Sequence, residues 1–272
     1  MKRINYFGTG LALALGLFAS VASAAIDCPG TTPSPNGANI VTYVFPDCPI
    51  TALTVTNAYP GAIIFDEQGF ICLNGANRHN WSFSADGGAT KAEFENCSAY
   101  RFCANVKLDG TNPRAEGGLR VSPWWSPDVD GQFMINAGSG EIACFGGRLP
   151  FYSFTGAYGI TYTRGTTVLM EIEYQPNGLS SFHPATITYK ITIGATTYSS
   201  GPLNYDEGNP AEGHGSWGEL TPAYVGGYFQ QNGTPDGTSV GMTASFFDIC
   251  FEPLIPTSTR NSSWGHVKQI YR

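Results

Sequence analysis

The sequence predicts an all-β protein, a two-sheet antiparallel sandwich followed by a short C-terminal helical tail. Three observations carry this. Short runs of alternating apolar and polar residues recur along the chain, broken by Gly, Pro and Asp, and the spacing reads as about a dozen strands. The composition, with 34 Gly, 18 Pro, 13% aromatic and only 13% charged residues in 272, is that of turn-rich β structure. A helical period occurs only at the end, where Trp264, Val267, Ile270 and Tyr271 fall on one face behind a cap at Ser262 or Ser263.

Taken in order, the chain opens on Lys2 and Arg3, an apolar run over 11–21 and the small-x-small triplet 22–24. Together these read as a secretory signal over residues 1–24, too short in its apolar part to span a membrane. The expected mature chain is therefore secreted or displayed at the cell surface. Losing those two cations from a chain of 14 basic and 21 acidic residues leaves a formal charge of −9. Such a balance argues against nucleic acid and anionic lipid as partners. No second apolar run of membrane length follows. Residues 25–252 form the expected sandwich domain, irregular over 25–116, and 253–272 are a linker and tail in which Arg260, Lys268 and Arg272 concentrate positive charge.

Within the domain, residues 25–40 read as a Pro- and Gly-rich loop, 41–45 and 53–57 as short strands, and 61–73 as a strand that turns at 66–69 and returns. Residues 74–88 read as a loop, and 91–108 as two short strands or a helical turn. From Gly118 the alternation sharpens: Leu119, Val121 and Trp125 point one way, Arg120, Ser122 and Trp124 the other. A turn over 126–131 and short strands over 132–136, 140–145 and 150–154 follow. Residues 166–174 make the clearest strand, with Val168, Met170, Ile172 and Tyr174 on one face and Leu169, Glu171 and Glu173 on the other. Residues 186–198 read as a hairpin turning at Gly194-Ala195. A long polar loop over 202–222 carries Tyr205 and Trp217, and strands over 223–229 and 242–252 close the domain.

The seven cysteines meet an oxidising compartment on export, so disulfides are the default, and the odd count leaves one over. The expected pairs are Cys28–Cys48, Cys97–Cys103 and Cys72–Cys250, with Cys144 unpaired. The absence of C-x-x-C and the wide scatter of the four histidines argue against zinc.

Residues 117–252 resemble the concanavalin A-like (laminin G/glucanase-type) jelly roll. The carriers are the series of amphipathic strands, the pair EIEYQPNG and ATITYKITIGATTYSSGP, and the closing AYVGGYF and ASFFDICFE. The resemblance implies a jelly-roll topology, an oligosaccharide lying across the concave sheet, and a calcium ion on the opposite side, for which Asp66 and Asp248 are the candidates. Turn capping at Asp66 and a satisfied strand-end polar group at Asp248 account for both without an ion. The ending WGHVKQIYR is similar to those of exported bacterial proteins and implies a sorting tail, against the plainer reading of a docked terminal helix.

Catalytic motifs are absent: there is no G-x-S-x-G, no H-E-x-x-H and no P-loop. Glu171 and Glu173 sit two apart on one strand face, about 6.6–6.8 Å between Cα atoms, which is compatible with the carboxylate pairs of glycosidases. The resembled glucanases carry E-x-D-x-x-E on such a strand. Here Pro176 stands where the last acid belongs, and Lys190 is available across the hairpin, so surface charge is the simpler account. Arg120, one of Trp124 and Trp125, and Asp128 and Asp130 form the expected ligand face, joined by Tyr205, Trp217 and Tyr228 from the loop side. Core packing for a tryptophan and turn chemistry for the two aspartates are the competing accounts. The expectation is an exported carbohydrate-binding or adhesion sandwich, its partner a polysaccharide or cell-surface glycan, without catalysis or cofactor. The alternatives are a divergent jelly-roll glycoside hydrolase or polysaccharide lyase using Glu171 and Glu173, and a structural envelope protein.

Overall fold

The computed structural model describes residues 32–126, 129–146, 149–179, 182–204 and 223–255, and for 123–126 and 129–130 the backbone alone. Two antiparallel sheets of seven strands face each other. From edge to edge, the first sheet runs β1 (Gly37–Val41), β4 (Ala76–Ser84), β13 (Tyr224–Asn232), β6 (Glu116–Ser126), β7 (Val129–Asn136), β8 (Ile142–Phe145) and β9 (Tyr152–Ser153). The second runs β12 (Thr196–Asn204), β11 (Thr186–Ile193), β10 (Val168–Gln175), β5 (Tyr100–Gly110), β14 (Val240–Pro253), β3 (Ala62–Phe70) and β2 (Ala52–Ala58). One helical turn, α1 (Phe154–Tyr158), follows β9, with the Ser153 hydroxyl accepting from the Gly156 amide as its cap.

The alternation that predicts strands also sets the core. Trp81, Phe83, Leu119, Phe133, Val225 and Phe229 of the first sheet meet Phe65, Phe102, Met170, Ile172, Tyr189 and Phe246 of the second in one buried cluster. Each such side chain contributes roughly 1.5–3 kcal/mol when removed from water. Edge-to-face ring pairs, such as Phe83 with Phe102 and Trp81 with Phe246, lock the two layers together.

Several expected boundaries move. The first strand is Gly37–Val41, earlier than 41–45, because Tyr43 takes a φ of 52° that ends the extended run. No turn interrupts 66–69: Ala62–Phe70 is one strand, paired to β2 and β14. Residues 74–88, expected as loop, contain β4, and 91–108 end in a single long strand, β5, with no helical turn. The hairpin at Gly194-Ala195 stands as expected, between β11 and β12. The signal segment and the C-terminal helical tail lie outside the described residues.

The disulfides differ from expectation. Cys48 bonds Cys72, with Cα atoms 5.6 Å apart, because Asp47 donates its amide to Ala76 O and so draws the chain before β2 against the start of β4. Cys103 bonds Cys250, which is its cross-strand neighbour between β5 and β14, at a Cα separation of 5.0 Å. Thus Cys28–Cys48, Cys97–Cys103 and Cys72–Cys250 do not form. Cys103 lies within an extended strand that carries it away from Cys97, which is itself disulfide-bonded. Cys28 is outside the described residues. Cys144 is free and fully buried, and burial pushes its thiol up.

Candidate functional site

On the second sheet, Glu171 and Glu173 point away from the core. Lys190, directly across from Glu171, holds it at 2.6 Å and Glu173 at 3.7 Å. Glu173 also faces Arg101, which pairs with Glu252. These carboxylates form part of a half-buried charge ladder at the surface. Such ladders contribute little, so Glu171→Gln is expected to shift stability by under about 1 kcal/mol and to leave any glycan turnover unchanged, as a melting curve and a reducing-end assay would show.

Asp66 and Asp248 also lie on this sheet. Asp66 accepts from Gln68 at 2.6 Å and Thr243 at 2.9 Å, while Asp248, further along β14 at a φ of 48°, accepts from Asn105 at 3.1 Å. The structure does not bring the two together, and no three His, Cys, Asp or Glu side chains cluster among the described residues.

The outer face of the first sheet is different. It is the face that β4, β13, β6 and β7 turn away from the core, and the pairing register lays it out in rows. Ser82, Gly226, Arg120 and Gln132 form one row; Asn80, Tyr228, Gly118 and Met134 the next; Arg78, Gln230, Glu116 and Asn136 the third. Arg120, named from the sequence, is in the middle. It is fully buried and bonds the Ser82 hydroxyl, the Ser122 hydroxyl at 3.3 Å and the Trp81 carbonyl at 3.5 Å. Asp128, Tyr205 and Trp217 lie outside the described residues, as do the side chains of Trp124, Trp125 and Asp130.

Arg78, which the sequence reading placed in a loop, is the second cation of this face. Its Nε donates to Asn80 Oδ1 at 3.1 Å, and Nη1 donates to Gln132 Oε1 at 3.2 Å and Gln230 Oε1 at 3.3 Å. Its guanidinium lies 4.1 Å over the ring of Tyr228. At the end of the face, Lys91 sits 5.0 Å over Tyr224. Glu116 supplies the carboxyl on the floor of the third row. Burial raises it to about 7, with Arg78 opposing and Glu141 adding to the rise.

Two glycines shape this floor. A Cβ at Gly118 would stand 2.0 Å from the Phe133 carbonyl oxygen, and one at Gly226 would stand 2.2 Å from that of Trp81. No side chain can occupy either position, so the backbones pack closely there, and above them Tyr228, Met134 and Ala143 form one buried cluster.

Beneath this face a second polar group faces inward. Glu67 Oε1 accepts from Thr51 at 2.8 Å and Asn77 at 3.1 Å; Oε2 accepts from Gln231 at 2.9 Å and lies 3.4 Å from His79 Nε2. The neighbours of Arg78 and Gln230 in sequence, His79 and Gln231, are thus anchored to the opposite sheet. The signal for β4 was its period of two. Polar residues on both faces hid it, since Asn77 and His79 satisfy Glu67 inside while Arg78 and Asn80 line the outer face.

No family model matches the chain, and no curated protein matches it. Among solved structures, it is similar to an alginate lyase of polysaccharide lyase family 7, at 12% identity over 80% of this chain and 95% of that one, with a TM-score of 0.44. It is similar also to the alginate lyase from Corynebacterium sp., at 12% identity over 79% and 93%, with a TM-score of 0.45. A family 18 polysaccharide lyase aligns at 9% identity over 79% and 94%, with a TM-score of 0.37.

Proposed function

We propose that the outer face of the first sheet binds an acidic polysaccharide and cleaves it by β-elimination. The observation that carries this is Arg78, held over the Tyr228 ring at 4.1 Å by amide oxygens of Asn80, Gln132 and Gln230. Elimination beside a sugar carboxylate requires a cation that neutralises the carboxylate and so acidifies the neighbouring C–H. It also requires a group that removes that proton and one that protonates the departing oxygen. Arg78 and Arg120 are the cations, their planar forks suited to a carboxylate. Gln132, Gln230 and Asn80 supply amides for hydroxyls. Tyr228 is the phenol placed against the cation and protonates the leaving oxygen. The chain as a whole is acidic, so its attraction for a polyanion is local to these two guanidiniums.

Hydrolysis fits less well, because it needs two cooperating carboxylates. The floor of this face offers Glu116, and the pair on the other sheet is occupied by Lys190.

A second reading, glycan binding without cleavage, is favoured by the engagement of both guanidiniums with the protein's own acceptors, Arg78 with Asn80, Gln132 and Gln230, and Arg120 with Ser82, Ser122 and Trp81. The two separate in one experiment, in which the protein is incubated with polyuronates and with neutral glucans while ultraviolet absorbance of a new C=C bond conjugated to a carboxylate is followed. Elimination predicts absorbance with polyuronates only. Tyr228→Phe is expected to lower that rate by about 10²–10⁴-fold while affinity, measured by calorimetry, is retained. Binding without absorbance selects the second reading, and neither binding nor absorbance overturns both.

A further inference from the structure

We propose that Asn74 is a site of spontaneous covalent modification, at which the side-chain amide is exchanged for a carboxylate through a cyclic imide formed with the Gly75 nitrogen. The reaction needs water and no enzyme, and it stands apart from the glycan face.

The chemistry needs three things in one place. The backbone nitrogen of the next residue must reach the asparagine Cγ. That nitrogen must not be spent on a hydrogen bond, and the side chain must be able to turn towards it. A following glycine favours the first, since it has no Cβ to obstruct the ring and its backbone dihedrals are permissive. Four such pairs occur in the chain, Asn36-Gly37, Asn74-Gly75, Asn177-Gly178 and Asn232-Gly233. The fold separates them.

Three are held closed. Asn36 Oδ1 accepts from the Gly87 amide at 2.8 Å, and Gly37 is buried so close to Gly87 that a Cβ would stand 2.6 Å from its carbonyl carbon. Asn177 Nδ2 donates to Pro184 O at 2.8 Å and to Thr186 Oγ1 at 3.3 Å, while the Gly178 amide donates to His183 O at 3.1 Å. Asn232, within β13, donates to Arg114 O at 2.8 Å and accepts from Gln230 Nε2 at 2.9 Å, and the Gly233 amide donates to Gly75 O at 3.0 Å. In the last two pairs the attacking nitrogen and the leaving amide are both engaged.

Asn74-Gly75 differs. Both residues are exposed, between the Cys48–Cys72 disulfide and the start of β4. Among the described residues, none accepts from the Gly75 amide and none bonds the Asn74 side chain. The glycine is moreover one that the fold requires. Its φ is 105°, and a Cβ there would stand 2.7 Å from Asp47 Cβ. The residue that makes the reaction fast is thus kept by sterics.

In the step, the Gly75 nitrogen bonds to Asn74 Cγ and the bond from Cγ to the side-chain nitrogen breaks. Ammonia leaves with the proton that the Gly75 nitrogen gives up. Water then opens the imide at either carbonyl, which yields aspartate or, with the main chain rerouted through Cγ, isoaspartate. The product adds a negative charge near Asp47. As isoaspartate it also adds an atom to the main chain at the entry to β4, the strand that carries Arg78.

The test incubates the full chain at mildly alkaline pH, folded with its disulfides intact and, in parallel, unfolded in urea with them reduced. Peptide mass spectrometry reads the amide-to-acid conversion at each of the four asparagines, and fragmentation distinguishes isoaspartate. In the folded chain Asn74 is expected to convert at least about tenfold faster than Asn36, Asn177 and Asn232, which must first break hydrogen bonds or a closed backbone contact. In the unfolded chain the four rates should converge. Asn74→Gln, whose longer side chain would have to close a larger ring, should remove the fast conversion at an unchanged melting temperature, since the side chain it replaces makes no fold contact. The proposal is overturned if folded Asn74 converts no faster than the other three, or if Asn74 leads by the same factor in the unfolded chain, which would assign the selectivity to local sequence. A lowered melting temperature for Asn74→Gln would show that the fold holds this side chain, and would overturn it as well.

Discussion

Replacing Glu67 by alanine is expected to lower the free energy of unfolding at neutral pH by about 3–5 kcal/mol, the cost of stripping one partner from a buried charged network. Glu67 is fully buried between the sheets, and its two oxygens serve Thr51, Asn77, Gln231 and His79. The His79 ring is stacked between Phe65 and Phe229, with centroids at 5.7 and 5.8 Å, so it cannot turn to water when its acceptor is lost. Asn77, Gln231 and His79 would be left with unsatisfied donors. The pH dependence has a definite sign. Burial pushes the Glu67 carboxyl up, but the hydrogen bonds from His79, Gln231 and Thr51 outweigh it, and its folded value lies below the ordinary 4.5. Its contribution is therefore present above about pH 4.5 and lost as pH falls through the depressed value. Thermal unfolding between pH 3 and 8 should show the alanine variant melting about 10 °C lower at pH 7, with the gap narrowing in acid. A variant within about 2 °C of wild type at pH 7 would sink this account. Glu116 has the opposite sign: raised to about 7, its share of stability is present in acid and fades as pH rises through that value.

Gly118→Ala is expected to cost about 3–5 kcal/mol, in the range reserved for named steric faults. The added methyl would stand 2.0 Å from the Phe133 oxygen and 3.1 Å from Met170 Cε. The first contact is with backbone, which cannot swing aside as a side chain does, and φ here is 155°. Relief requires β6 and β7 to separate, the two strands that carry Arg120, Glu116 and Gln132. A urea titration should therefore show a lower midpoint at unchanged slope, and the glycan affinity proposed for the outer face should fall in parallel. A midpoint matching wild type would mean that the strands part at no cost, and the close approach of β6 and β7 at Gly118 would then not be a rigid feature of the fold.

The strands legible in the sequence were those with one apolar and one polar face. Val168–Gln175 and the turn at Gly194-Ala195 stand within a residue or two of expectation, although β12 runs on to Asn204, and the pairing of Lys190 with Glu171 follows from their register alone. Strands with polar groups on both faces were not legible. Asp66, Glu67 and Gln68 resemble a turn, and Asn77 to Asn80 resemble a loop, until Glu67 and His79 are seen to satisfy one another across the sandwich. Disulfide pairing failed for a related reason. Cys103 and Cys250 are 147 residues apart in sequence, and only the adjacency of β5 and β14 makes them neighbours.

Local alternation and composition determined the all-β sandwich and placed Arg120 on a polar face, because period-two patterning is written within a few residues. The tertiary structure alone decided which polar residues share that face. Arg78, Glu116, Gln132 and Tyr228 come from four strands far apart in sequence, and their meeting depends on strand order, a non-local outcome of which face each strand buries. The glutamates that looked most like chemistry in the sequence, Glu171 and Glu173, sit on the other sheet in salt bridges with Lys190, and the proposed site is assembled where no local motif marks it.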